Sequence, residues 1–511
     1  MSRLFRAASA ISGFTLVSRV LGLWRDSTMA AVLGAGPVSD TFYLAWALPN
    51  LMRRLLGEGA LSASFVPAYT TARKRGEGEA RTLLAQVLAA VLAILLPLVG
   101  IIVVGSVVAT WFVPPDGRSV LLLPLNAVLF PYTIPICVTA ILAGALNTRG
   151  SFGRPAAVPI VLNAVWIAAL YCVAPLGIRE DAAIAWFLAA ALCVGGFAQL
   201  ALVVGPLRRD GALALAPLRW PTRGTAAAAV FAAMAPTVLG MSMNQIATLV
   251  DQTMAYGLLG EGANTYLYLA NRLLLFPHAL TALAVVVAVF PRLAHEATEV
   301  DRARMRATLD KAAAATLFVT VPAAMGLFVL ADDIVGGLFQ RHQFTPTDAA
   351  ATALTTRCLV AGLPFLGLAQ LQARAFYSLG DTRAPARIAV VLLVVNAGLN
   401  LLLVLGLHLG TEGLASATSF GSALNTVLLA RQLHRHLPRA GHAQGPWLRC
   451  GVATAAMCAA IILVRPEVHG GRAALLLWRV ALPIAVGLAV YLLAQRLLRS
   501  PELQLLRRRK R

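Results

Sequence analysis

The sequence predicts an all-α integral membrane protein of about fourteen transmembrane helices, built as two six-helix lobes and a C-terminal helix pair. Three observations predict it. Hydrophobic residues make up 59% of the 511 and charged residues only 13%, too few to cover the surface of a soluble chain this long. Apolar runs long enough to cross a hydrocarbon core of about 30 Å recur from end to end. Short patterns also recur at an offset of about 225–230 residues, the length of one six-helix unit.

Taken in order, the spans fall near 8–32, 40–70, 84–112, 120–146, 156–175, 183–205, 226–257, 264–291, 312–330, 352–377, 386–406, 413–433, 448–464 and 474–498. The first run follows Arg3 and Arg6 in the manner of a signal peptide. Arg19 interrupts it and no small-residue cleavage site follows, so it reads as a retained helix. The long connection 292–311 is rich in Arg and Glu and is expected to form a surface helix. The repeat rests on Ala145, Gly150 and Pro155 against Ala375, Gly380 and Pro385. Tyr43-Leu44-Ala45 with Phe65-Val66-Pro67 similarly echoes Tyr268-Leu269-Ala270 with Val289-Phe290-Pro291. An even number of helices per unit relates the lobes by a pseudo-two-fold axis along the membrane normal, as in transporters that rock two halves about a midplane site. The expected division is 1–224 and 225–437 for the lobes, and 438–511 for the appended pair with its basic tail.

A net charge of +21 raises nucleic acid as a partner, but the placement of charge argues for membrane topology instead. With both termini on one side, that side collects about 30 of the 43 Lys and Arg, including Arg73–Arg75, Arg208, Arg209 and Arg507–Arg511. The opposite side carries acids such as Glu180, Asp181, Asp332 and Asp333. This places both termini in the cytoplasm, with the tail against anionic headgroups of the membrane lipids. The six cysteines lie in or beside apolar runs at no ligand spacing and read as small hydrophobes.

Several charges sit where charge is expensive. Arg19 lies about 16 Å into the first span, where an arginine costs about 2.5–3.5 kcal/mol on the lenient insertion scale. Arg25 and Asp26 follow Gly22. Span two starts at Asp40 and carries Leu48-Pro49-Asn50, then Arg53, Arg54 and Glu58; span eight carries Arg272 with Pro277 beyond it. A purely structural reading pairs Arg25 with Asp26, and Arg53 or Arg54 with Glu58. It leaves Arg19, Arg272 and one of the adjacent pair without an evident acid. Guanidinium groups stay ionised at any relevant pH and bind phosphate oxygens in a bidentate fork. The favoured reading is therefore an anion-binding cavity. A second set, Asp251, Asn396, Asn400 and Thr418, offers a carboxylate, amides and a hydroxyl for a monovalent coupling cation such as sodium. The alternative is interhelical hydrogen bonding. No other cofactor is called for.

The stretches SRVLGLWRD, GAG, Asp40 and LPNLMRRLLGEGALSASFVP closely resemble the start of the MurJ/MviN family of lipid II flippases, within the multidrug/oligosaccharidyl-lipid/polysaccharide exporter superfamily. The likeness continues through LNTRGSFGRP, ANRLLLFP, FYSLGDTRAP and GLASATS, and covers essentially the whole chain. It implies a flippase moving the undecaprenyl-diphosphate-linked peptidoglycan precursor from the cytoplasmic to the periplasmic leaflet of the bacterial inner membrane. Cell-wall synthesis machinery would be at hand. The family's cavity charges carry over onto Arg19, Arg25, Asp40, Arg53, Arg54, Glu58 and Arg272, with Asn50 beside them, and spans thirteen and fourteen would form a groove for the lipid tail. Some relatives have acids where this chain has Asn271 and Leu275, and a lysine where it has Ala47.

Two other classes fit the sequence less well. A membrane enzyme on the same lipid would need paired carboxylates, a metal cluster or a catalytic His. His278 is the one histidine well inside a span, and it has no carboxylate within a helical turn. A drug exporter of the same superfamily would favour acids and aromatics for cationic cargo, whereas this chain is rich in embedded arginine.

Overall fold

The computed structural model describes residues 3–55, 60–112, 119–213, 225–280, 282–299, 301–438, 445–466 and 471–503, all of them helix or short connection apart from one isolated bridge between Arg341 and Phe344. The chain divides into two compact units, 1–249 and 250–511. Their division falls inside a single long helix. In order, the first unit contains α1 (Arg3–Leu33), α2 (Pro37–Met52), α3 (Ala60–Arg75), α4 (Glu77–Ala109), α5 (Ser119–Leu129), α6 (Thr133–Thr148), α7 (Gly153–Cys172), α8 (Asp181–Arg209) and most of α9 (Ala226–Leu258). The second contains α10 (Ala263–Leu280), α11 (Ala282–Thr298), α12 (Arg302–Val329), α13 (Ala331–Phe339), α14 (Pro346–Val360), α15 (Leu363–Ser378), α16 (Arg383–Leu401), α17 (Thr411–Leu433), α18 (Gly445–Leu463), α19 (Arg472–Leu475) and α20 (Leu482–Leu497).

Each of the fourteen expected spans corresponds to one helix or to a broken pair. Among the described residues, seven tracts are long and apolar enough to cross a membrane unaided, and α14 with α15, bent by 41°, makes an eighth. Local chemistry explains where the helices start and break. Pro37 opens α2 after Gly36, and the Asp301 carboxylate accepts from the Arg304 amide at the head of α12. Thr345 and Asp348 form a reciprocal capping box across the first turn of α14, which Pro346 opens. A 3-10 turn, Phe130–Tyr132, separates α5 from α6. Large apolar side chains such as Ile101 and Val394 are two-thirds or more exposed. That would be untenable in water, but it suits contact with lipid tails.

The sequence repeat appears as a repeated turn. After α6, the Ser151 amide donates to the Leu146 carbonyl at 3.0 Å and Gly150 to Asn147 at 3.1 Å; after α15, Asp381 donates to Phe376 and Gly380 to Tyr377 at the same distances. Gly150 and Gly380 both take a left-handed backbone, φ 79° and 76°, which closes the helix end as only glycine does cheaply. Gly150→Ala and Gly380→Ala are each expected to cost about 1–2 kcal/mol, read as a lowered midpoint in thermal unfolding of the purified protein. Wild-type midpoints in both would remove backbone strain as the reason for glycine there.

The surface helix expected over 292–311 does not form as a separate element. α11 runs on to Thr298 and α12 starts at Arg302, so the charged stretch belongs to two long helices, which bury Leu293, Met305 and Leu309 in an apolar cluster. Several of its charges are paired locally. Arg292 Nε and Thr308 Oγ1 donate to the same Glu296 oxygen at 2.9 and 2.8 Å, and Arg306 pairs with Asp310. Between the spans expected at 312–330 and 352–377 lies a short helix, α13. Its Asp332 pairs with Arg357, while Asp333 takes both Arg465 and Arg479. The appended helices pack on α12 through Phe318, Met457, Ile461 and Tyr491, and the Tyr491 hydroxyl donates to the Phe318 carbonyl at 2.7 Å.

Candidate functional site

In the first unit, α1 places Arg19 half-buried and Arg25 fully inside, 4% exposed. Arg25 donates through Nε and Nη2 to Asp26 Oδ1 at 2.9 and 2.6 Å, and through Nη1 to Asn163 Oδ1 at 3.0 Å. Its guanidinium carbon lies 4.2 Å from the ring centre of Trp166. Asp26 is fully buried. The expected Arg25–Asp26 pair is therefore present, joined by two residues of α7 that the sequence reading missed. Their only signal was an asparagine and a tryptophan in an otherwise apolar run.

On α2, Asp40 is 1% exposed. Pro49 removes a backbone donor, and residues 53–55 then widen into a π-turn. Arg53 donates to Asn50 Oδ1 through Nε at 3.2 Å and Nη2 at 3.0 Å. Arg54 Nη1 donates to Gln245 Oε1 of α9 at 2.8 Å. Asn50 and Gln245 thus orient two adjacent guanidinium groups whose expected partner, Glu58, lies outside the described residues.

In the second unit, Arg272 and Asn271 are half-buried on α10, and Leu275 is partly exposed one turn on. The second polar set comes together as the spacing implied. Asn396 and Asn400, one turn apart on α16, donate to Asp251 Oδ1 at 2.9 and 2.7 Å. Thr418 Oγ1 of α17 lies 3.1 Å from Asp251 Oδ2 and 3.0 Å from the Leu414 carbonyl oxygen, so its one proton serves one of them at a time. Asp251, Asn396 and Asn400 are all buried. Both amide oxygens, Asn396 Oδ1 and Asn400 Oδ1, have no hydrogen-bond partner. Which end of an amide faces the carboxylate is a matter of rotating the side chain. Turned over, the same four residues from three helices present a carboxylate, two carbonyl oxygens and a hydroxyl, the hard donors that a small cation takes. Among the described residues no three His, Cys, Asp or Glu side chains gather into a metal site.

Helices of membrane-crossing length, arginines embedded along them at Arg19, Arg25, Arg53, Arg54 and Arg272, and a glycine turn repeated at Gly150 and Gly380 together define a polytopic transporter. The chain belongs to the lipid II flippase MurJ family, whose model matches residues 29–481. It is 33% identical over 440 residues to the lipid II flippase MurJ of Burkholderia cenocepacia, covering 83% of each chain. It is 32% identical over 445 residues to the "Probable lipid II flippase MurJ" of Vibrio cholerae, covering 84% of this chain and 83% of that one. The fold is similar to a solved lipid II flippase MurJ in an inward closed conformation (TM-score 0.77, 24% identity, 95% of this chain and 98% of that one). It is also similar to an inward-facing multidrug resistance MATE family transporter of the MOP superfamily (TM-score 0.66, 15% identity, 83% and 94%).

Proposed function

We propose that this protein moves lipid II, the undecaprenyl-diphosphate-linked peptidoglycan precursor, from the cytoplasmic to the periplasmic leaflet of the bacterial inner membrane. The observation that carries the reading is membership of the lipid II flippase family over most of the chain, joined to arginines embedded in membrane spans. Both termini face the cytoplasm in this reading, as the distribution of Lys and Arg requires. The cargo's diphosphate brings about two negative charges, which guanidinium groups offset while the tail stays in the bilayer. The protein performs no bond chemistry here; it lowers the barrier to carrying a polar head across hydrocarbon. The test is depletion of the native flippase in a host carrying this gene, scored by periplasmic exposure of lipid II. Failure to restore exposure with the protein present in the membrane would overturn the proposal.

The mechanism proposed is alternating access, exposing the arginine-bearing faces first to one leaflet and then to the other. A site that only binds does not transport, so the two states must differ in affinity. A potential negative inside favours outward movement of the anion by about 2.3 kcal/mol per charge per 100 mV. Flipping is therefore expected to slow when an ionophore collapses the potential in intact cells at constant ATP. An undiminished rate would leave cation coupling through Asp251, or passive equilibration, as the driving force.

A further inference from the structure

α1 carries Arg19 and Arg25 on either side of the buried Gly22, and one residue of α7 grips both flanks. Asn163 Nδ2 donates to the carbonyl of Ser18, the neighbour of Arg19, at 3.0 Å; its Oδ1 accepts from Arg25 Nη1, also at 3.0 Å. Ser18 and Arg25 are about two turns apart along the helix. The Arg25 side chain spans that gap by reaching back toward the N-terminus, the direction in which helical side chains lean. One turn along α7, Trp166 presents its ring face to the same guanidinium, and the ring is itself held edge-on by Phe42 and Trp46 of α2 at 5.6 and 5.3 Å. Asn163 is 6% exposed and Trp166 fully buried. A leucine at 163 would fill the space without the cost of burying an amide in an apolar helix. The amide contributes what a leucine lacks, a donor on one side and an acceptor on the other.

We propose that Asn163 and Trp166 are positioning residues for the cargo-binding arginines of α1. Together they fix the direction of the Arg25 guanidinium and the helical phase of the segment that carries Arg19. The inference rests on the lipid II reading for its functional consequence, but the clamp itself does not. Cation–π contact and a charge-assisted hydrogen bond are each set by geometry, so a shifted guanidinium loses cargo contacts even when the charge remains.

The test uses the purified full-length protein in nanodiscs, with two measurements. In lipid II binding, Asn163→Leu and Trp166→Leu are each expected to weaken affinity about tenfold, the range of one charge-assisted hydrogen bond. Trp166→Phe, which keeps a ring face, is expected to stay within about twofold. The double variant Asn163→Leu with Arg25→Ala should fall short of the product of the two single losses, as coupled residues do. Wild-type binding in Asn163→Leu, fully multiplicative losses, or equal losses in the Phe and Leu variants at 166 would each overturn the proposal. The second measurement is hydrogen exchange of the backbone over residues 14–29 without cargo, where Asn163→Leu should speed exchange. Unchanged exchange overturns the clamp whatever the cargo is. Wild-type protein that fails to bind lipid II sinks the functional reading alone, and exchange then decides the clamp.

Discussion

Arg19→Ala and Arg272→Ala are each expected to cut lipid II flipping about 10- to 100-fold, the kinetic equivalent of roughly 1.5–3 kcal/mol for a hydrogen bond to a charged group. The direction follows from what is lost. An alanine removes a permanent positive charge from a membrane span, and insertion becomes easier rather than harder. Protein level in the membrane should hold while transport falls. Arg→Lys at either position should recover only part of the activity, because an ammonium is a point charge that lacks the planar fork matching phosphate oxygens. The measurement is complementation in a flippase-depleted host, with the amount of each variant checked in isolated membranes. Normal growth supported by both alanine variants would remove the diphosphate-site reading of these arginines.

Asp251→Asn is expected to abolish any cation dependence of transport while leaving the fold in place. Asp251 receives two amide N–H groups on one oxygen and faces a hydroxyl on the other. An asparagine preserves shape and one acceptor oxygen but removes the only formal charge in the group. A monovalent cation held by carbonyl and hydroxyl oxygens alone should bind at least about tenfold more weakly, about 1.4 kcal/mol. Flipping by the wild-type and variant proteins, followed across a sodium titration at fixed ionic strength, separates the readings. A wild-type rate that rises with sodium and a variant rate that does not would support a coupling site. Parallel, flat responses would return Asp251, Asn396, Asn400 and Thr418 to a packing role. The two amide oxygens on α16 that lack a hydrogen-bond partner, lying on side chains that already reach the buried Asp251 carboxylate, are the observation that favours the first outcome.

The reading of individual residues was good where the signal was local and poor where it was not. Gly150 and Gly380 were found as a faint sequence echo, and the structure gives them matching left-handed turns with matching hydrogen bonds. Asn396 and Asn400 were placed on one face from their four-residue spacing alone, and both reach Asp251. Over 292–311 the structure has the ends of α11 and α12 where a separate surface helix is expected, because a run of Arg and Glu does not by itself end a helix. Arg292 with Glu296 and Arg306 with Asp310 pair within α11 and α12, and both helices run into the charged stretch. Likewise, Asp332 and Asp333 gave no sign that three arginines from α14 and the appended helices would meet them.

By itself, then, the sequence determined that the chain is all helical with many apolar spans, the turn repeated at Gly150 and Gly380, and the set of embedded charges. Each depends on a property readable in a short window: apolar length against a fixed membrane thickness, glycine at a left-handed turn, an ionised group inside a hydrophobic run. Only the tertiary structure decided what each polar group meets. Arg25 could have turned to any neighbour. It is held by an asparagine and a tryptophan on α7, 138 residues away in the asparagine's case. Asp251 collects partners 145 to 167 residues further on. In hydrocarbon there is no water to satisfy a stray donor or acceptor, so the helices settle at the rotations that bring such groups together. That choice is made by the whole packed unit and leaves no trace in the local pattern.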